Sequence, residues 1–210
     1  MNAPGAVRAD GSAPPDPRRR VAVMSAAARC FRQYGVSKTT VDDIAAESGV
    51  SRATLYRTIP GGRDEIVLEV LLSEASEGFE LIRAAIEVLP DFESQIVEGI
   101  ALAIEGIRDD PNLAMLFTGE SVTATVAIPG AWDALQRVTA TLLEPFVDAA
   151  RARGELVAGL SDEDVAEWVN RMIGSLLAFP GRIATSAEEL RTYVRRFVVP
   201  ALIAVPEART

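Results

Sequence analysis

The chain contains no histidine. That absence removes Ser-His-Asp and Cys-His nucleophile systems and every His-ligated metal site. Cys30 is the only cysteine, so neither an intramolecular disulfide nor a thiolate zinc site can form. It lies in an apolar helical stretch, where a thiol packs as a small hydrophobe; a reactive sensor thiol is the alternative reading. Carboxylates are plentiful, yet no pair of them clusters with metal-ligand spacing. No metal, no cofactor and no enzymatic activity are therefore expected. Residues 1–17 lack the apolar run of about 7–15 residues that a secretory signal needs. No run of about 18 uncharged apolar residues offers a membrane span. The sequence thus predicts a cytoplasmic protein with no membrane partner.

A length of 210 residues leaves room for one large or two small domains, and a hydrophobic fraction of 49% argues for a folded chain. The formal net charge of −9 conceals an asymmetry. Residues 1–63 hold ten basic and five acidic side chains, a net +5, whereas residues 64–210 hold eleven basic and twenty-five acidic ones, a net −14. A basic end on an acidic body fits a phosphate-facing segment joined to a part that repels nucleic acid. The competing reading is an acidic surface that serves solubility alone.

Helical periodicity runs through the chain from residue 17, and no strand-rich region or repeat interrupts it, so the fold class is all-α. Residues 1–16, poor in large apolar groups, read as a flexible arm. Asp16-Pro17 is an N-cap followed by proline at the first helical position. A first helix follows to Tyr34, with Val21, Met24, Ala28 and Phe31 at helical spacing and Gly35 as its stop. Arg18, Arg19 and Arg20 sit in its first turn, where phosphate contact and plain solvation are both open. A helix from Asp64 to about Leu89 carries Ile66, Val70, Phe79, Ile82 and Ile86. Pro90-Asp91 caps the next, with Phe92, Ile96, Ile100, Ile104 and Ile107 on one face. A short helix is expected from Asp109 to Phe117, then a helix from Trp132 to about Arg153 disturbed by Pro145. Ser161 and Asp164 form a capping box before Val165, Trp168, Met172 and Leu176. A last helix carries Leu190, Tyr193, Val194, Phe197, Val198, Ala201 and Leu202 at i, i+3, i+4 spacing.

The most informative stretch is Thr40 to Arg57. Thr40, with Asp43 three residues on, caps a short helix that Gly49 ends. Ser51 caps a second helix from Arg52 to Thr58, whose Leu55 and Ile59 point inward. Arg52, Ala53, Tyr56 and Arg57 are left on its outer face. This is the layout of a helix-turn-helix, whose second helix enters the DNA major groove.

From Ala27-Ala28-Arg29-Cys30-Phe31 through Gly35, Thr40 and Ile44-Ala45 to Ser48-Gly49-Val50-Ser51-Arg52-Ala53-Thr54-Leu55-Tyr56-Arg57, the chain resembles the TetR (tetracycline-repressor-like) family. The likeness covers roughly residues 18–72, with about forty residues matching in order. Two departures stand out: Ile59 where an aromatic is common, and Gly61-Gly62-Arg63, one residue longer than the usual link. The second bears on whether Arg63 reaches a phosphate. The resemblance implies a helix-turn-helix domain over 17–62 and a helical effector-binding and dimerisation domain over 63–210. It implies phosphate contacts from Thr40, Ser51, Thr54 and Tyr56, base contacts from Arg52 and Ala53, and backbone flanking by Lys38 and Arg57. An apolar effector pocket would be lined by Phe79, Phe92, Ile96, Ile100, Met115, Phe117, Trp132 and Phe146, with Gln95, Thr118 and Gln136 as polar fixers. A neutral or cationic apolar effector is implied. Trp168, Met172, Leu176, Tyr193 and Phe197 would pair two copies through a four-helix bundle. The expected function is a sequence-specific, ligand-responsive repressor acting as a homodimer on an inverted repeat of double-stranded DNA. A small-molecule binding protein with a vestigial DNA-binding domain is the alternative.

Overall fold

The computed structural model describes residues 17–109, 127–179 and 186–204. Eight α-helices are found among them: α1 (Pro17–Tyr34), α2 (Val41–Ser48), α3 (Arg52–Thr58), α4 (Gly62–Ile86), α5 (Phe92–Asp109), α6 (Ala131–Arg153), α7 (Asp162–Ala178) and α8 (Ala187–Tyr193). The all-α expectation holds; the described residues contain a single isolated antiparallel bridge, Leu156 to Ile203. No described helix is long and apolar enough to cross a membrane. The expected helix from Asp109 to Phe117 falls almost wholly outside the described residues.

Two apolar cores organise the chain. The first gathers Val23, Ala27, Cys30 and Phe31 from α1, Ile44 from α2, Leu55 from α3 with Ile59 behind it, and Ile66, Val67 and Val70 from α4. Leu55, Ile59 and Ile66 are fully buried, and burying each such side chain stabilises the fold by about 1.5–3 kcal/mol. Burial also raises the Cys30 thiol above its ordinary range, which fits packing rather than thiolate chemistry. The second core joins α5, α6, α7 and the C-terminal segment around Phe92, Ile100, Ile104, Val147, Val165, Leu190 and Val194. α4 supplies Ile66 to one core and Ile86 to the other, and so joins them.

Polar contacts fix the ends. Asp91 accepts the Ser94 N–H at 2.7 Å, and Glu155 accepts the Phe92 N–H at 3.1 Å, so two carboxylates satisfy the start of α5. Ser161 and Asp164 form the expected reciprocal cap on α7. Arg191 bridges α8 to Glu98 at 2.7 Å and to Glu105 on α5. The last helix departs from expectation. After Tyr193 the chain widens into a π-helical turn, Val194–Val198, then a 3-10 turn, Val199–Ala201. Pro200 has no N–H to continue an α-helical ladder, and the Val199 N–H instead reaches the Val194 carbonyl five residues back.

Candidate nucleic-acid interface and effector cleft

The geometry around α3 follows from its caps. Thr40 is extended (φ −102°, ψ 162°); its hydroxyl accepts the Asp43 N–H at 3.2 Å and donates to the Asp43 carboxylate at 2.6 Å. The carboxylate also accepts the Thr40 N–H at 2.9 Å. Hydrogen bonds from Thr40 hold Asp43 below the usual carboxylate range. Gly49 closes α2 at φ 70°, in the left-handed region that favours glycine. The chain then reverses, and Ser51 accepts the Thr54 N–H at 3.2 Å while donating to the Thr54 hydroxyl at 2.9 Å.

Leu55 and Ile59 anchor the inner side of α3, and the Thr58 hydroxyl is turned back to the Thr54 carbonyl at 2.9 Å. Opposite them Arg52, Ala53, Tyr56 and Arg57 are exposed, with Ser51 exposed at the entering end and Thr54 half-buried. Lys38 and Thr40 are also exposed, preceding α2. The expected outer face is therefore assembled on one short rigid helix. Arg52 is held at its tip: its guanidinium donates to both Asp42 carboxylate oxygens, at 2.8 and 3.0 Å, and lies 5.7 Å over the Tyr56 ring. Tyr56 in turn sits against Gly62, where an added Cβ would lie 2.8 Å from the ring. Neither Asp42 nor Gly62 is flagged by local sequence pattern, since each acts across the turn.

Two arginines behave differently from their neighbours. Arg20 turns inward, donating to Glu65 at 2.8 Å and to Glu69. It thereby ties α1 to α4, leaving only Arg18 and Arg19 exposed in that first turn. Arg63 donates to the Thr39 carbonyl at 3.0 Å and to the Val36 carbonyl. The longer Gly61-Gly62-Arg63 link thus directs this guanidinium onto the α1–α2 turn.

A small open cleft with roughly 30 Å³ of room lies between α4, α5, α6 and α7. Of the expected lining, Phe79, Ile96 and Ile100 are there, as is Gln95. Three of the expected lining residues are not among those at this cleft. Phe92 is fully buried in the second core, and Phe146 packs in that core away from the cleft. Trp132 is half-buried with Arg171 stacked 5.6 Å from its ring, so its indole faces a cation outside the cleft. Met115, Phe117 and Thr118 lie outside the described residues. Sequence reasoning missed Thr139 and Asn170, which line the cleft as a buried hydrogen-bonded pair at 3.0 Å. Gln136 is their neighbour, accepting from the Asn170 amide.

Residues 23–70 match the model of the family described as bacterial regulatory proteins, tetR family. An uncharacterized HTH-type transcriptional regulator of Mycobacterium tuberculosis is 32% identical over 178 residues, covering 85% of this chain and 82% of the relative. The chain belongs to the TetR family. The HTH-type transcriptional regulator EthR of Mycolicibacterium smegmatis is 25% identical over 158 residues, 73% of this chain and 70% of that protein. Among solved structures, Salmonella enterica GusR superposes with a TM-score of 0.63 at 21% identity, covering 89% of this chain and 97% of that one. A TetR family transcription regulator from Marinobacter aquaeolei VT8 gives 0.60 at 18% identity, over 89% and 96%. These last two establish a shared fold. The protein is a TetR-family transcriptional regulator with a DNA-binding helix-turn-helix.

In this TetR-family chain the residues expected to pair two copies fall into two groups. Trp168, Met172 and Leu176 on α7 are half-buried against the second core, and the Trp168 indole donates to the Val198 carbonyl at 3.1 Å. Tyr193 and Phe197 stack at 4.9 Å between ring centroids, and Phe197 remains 56% exposed. The π-helical turn rotates Phe197 outward while Val194 and Val198 stay buried.

Proposed function

We propose that the chain is a ligand-responsive repressor that binds an inverted-repeat operator as a homodimer, with α3 of each copy in a major groove. The observation that carries this reading is the outward face of α3, where Arg52, Ala53, Tyr56 and Arg57 are exposed on a helix whose opposite side is pinned by Leu55 and Ile59. On exchanging Asp42 for a base edge, Arg52 offers the two-pronged donor that guanine O6 and N7 accept, and Ala53 a methyl for thymine. Thr40, Ser51, Thr54, Tyr56, Lys38 and Arg57 surround them as phosphate contacts that set register. The exposed Phe197 ring and the half-buried side of α7 support pairing of two copies through the C-terminal helices. Two-fold pairing spaces the recognition helices about 34–36 Å apart, one DNA turn.

The division proposed falls at the start of α4, whose Ile66, Val67 and Val70 still pack into the first core. Residues 17–62 form the reading head, 63–210 form the effector and dimerisation part, and α4 passes motion between them. A ligand in the α4–α7 cleft that spreads the heads lowers operator affinity by its differential binding, typically about 1–3 kcal/mol. The experiment is selection of bound duplexes from random DNA by the purified protein, with sedimentation of the free protein. An enriched inverted repeat and a two-copy particle support the reading. Absence of any enriched sequence, with ligand affinity intact, favours a small-molecule binding protein whose DNA domain is vestigial.

A further inference from the structure

Asp42, in the first turn of α2, and Arg52, at the start of α3, meet across the turn. The guanidinium donates from Nη1 to both carboxylate oxygens, at 2.8 and 3.0 Å, with Asp42 65% and Arg52 59% exposed. A pair so open to water adds little to stability. The other two carboxylates of α2 are turned elsewhere: Asp43 accepts the Thr40 N–H at 2.9 Å, and Glu47 accepts from Arg29 of α1 at 2.7 Å. Asp42 is thus the acid of α2 that reaches the outer face of α3.

A carboxylate carried onto DNA is repelled by the phosphates, and once its guanidinium moves to a base it has lost its donor. Another donor has to replace that one. Asp42 starts within hydrogen-bond distance of Arg52, and successive bases lie about 3.4 Å apart along a strand. The base next to the guanine is therefore the group this carboxylate meets. In the major groove guanine N7 and O6 and thymine O4 are acceptors, which a carboxylate repels. Adenine N6 donates but has the N7 acceptor beside it, whereas cytosine N4 donates with no acceptor of its own base alongside.

Resting on the base-reading role of α3 given above, we infer that Asp42 is a second specificity-determining residue: the Asp42–Arg52 pair opens onto the groove, Arg52 taking a guanine and Asp42 accepting the N4 amine of a cytosine in an adjoining base pair. The exchange leaves both charges with partners. The Tyr56 ring beneath the guanidinium, 5.7 Å away, keeps Arg52 at the same end of α3 while it changes partner. The operator half-site then carries a two-position signature, the second position being set from α2 and not from the recognition helix.

The test uses the full-length protein, the duplex it selects from random DNA, and every single-base variant of one half-site, at one salt concentration. The native protein is expected to prefer cytosine beside the Arg52-dependent guanine by at least about fivefold. Asp42→Asn should pass that preference to adenine, whose N6 and N7 suit a carboxamide, and leave the guanine preference within about twofold of native. Asp42→Ala should abolish the cytosine preference without creating one for adenine, and it serves if the asparagine variant does not fold, judged by circular dichroism melting. The inference is overturned if both variants keep the cytosine preference, or if they raise affinity for every duplex by the same factor, which is the mark of a charge acting alone. A native protein indifferent to the bases beside the guanine overturns it too. Failure of the α3 reading looks different: Arg52→Ala would then leave discrimination unchanged at every guanine, whatever the Asp42 variants do.

Discussion

Gly62→Ala probes how α3 is seated. Gly62 opens α4 at φ +62°, and an added methyl would lie 2.8 Å from Cε1 and 3.5 Å from Cδ1 of Tyr56. Two separable penalties follow. Holding a non-glycine residue in the left-handed region costs about 1–2 kcal/mol. The clash adds strain at the low end of the roughly 1–3 kcal/mol range for overpacking, because Tyr56 is 40% exposed and can swing outward. The single variant should therefore lose about 2–3 kcal/mol. With Tyr56→Ala already in place only the backbone penalty remains, so the cycle should show a coupling of about 1 kcal/mol. Urea unfolding of the four proteins at one fixed concentration, followed by far-UV circular dichroism, measures both terms. Operator affinity gives a second readout: Gly62→Ala weakens binding by displacing Tyr56, and has no further effect once the ring is gone. Equal destabilisation in both backgrounds would refute the seating of Tyr56 on Gly62. No destabilisation in either would refute the left-handed backbone.

Three further outcomes follow from the same structure. Hydrogen bonding to Arg20 holds Glu65 below its ordinary value of 4.5, so the folded carboxylate binds its proton less tightly than the unfolded one. That stabilisation is complete above about pH 4.5 and fades as the pH falls through the depressed value. Arg20→Ala should lose no more than about 1 kcal/mol at neutral pH, the pair being about one-third exposed, and should show a shallower acid decline than the native chain; parallel pH curves would count against the clamp. Thr139→Val leaves Asn170 Oδ1 without its donor and should lower stability by about 1–3 kcal/mol, read in the same urea assay; an unchanged midpoint would show the buried pair to be unimportant. Phe197→Glu places a charge on the exposed ring position and should convert the proposed two-copy particle to single subunits by sedimentation, whereas a retained dimer would move the interface elsewhere.

The reading head was legible because its signals are local. Thr40 with Asp43, Gly49, and Ser51 with Thr54 act within a few residues of one another, and the helices begin and end where those caps dictate. Arg20 was not legible: three consecutive arginines look alike until Glu65 and Glu69 arrive from 45 and 49 residues away. The C-terminal segment misled for another reason. Its Leu190, Tyr193, Val194, Phe197 and Val198 fit an α-helical stripe, but the π-helical turn keeps Leu190, Val194, Val198 and Leu202 inside and turns Phe197 out. The cleft was half legible. Large apolar residues mark a core, yet whether Phe92 or Phe79 borders a cavity depends on how four helices meet.

The central claim is that the outer face of α3 reads base edges, and its most direct measurement is the affinity of Arg52→Ala for a selected operator and for every single-base variant of one half-site, at one salt concentration. The native protein should discriminate by about 1–3 kcal/mol at one guanine position, and the variant should lose discrimination there while keeping it elsewhere. An Arg52→Ala protein that discriminates at every position as the native chain does would contradict it.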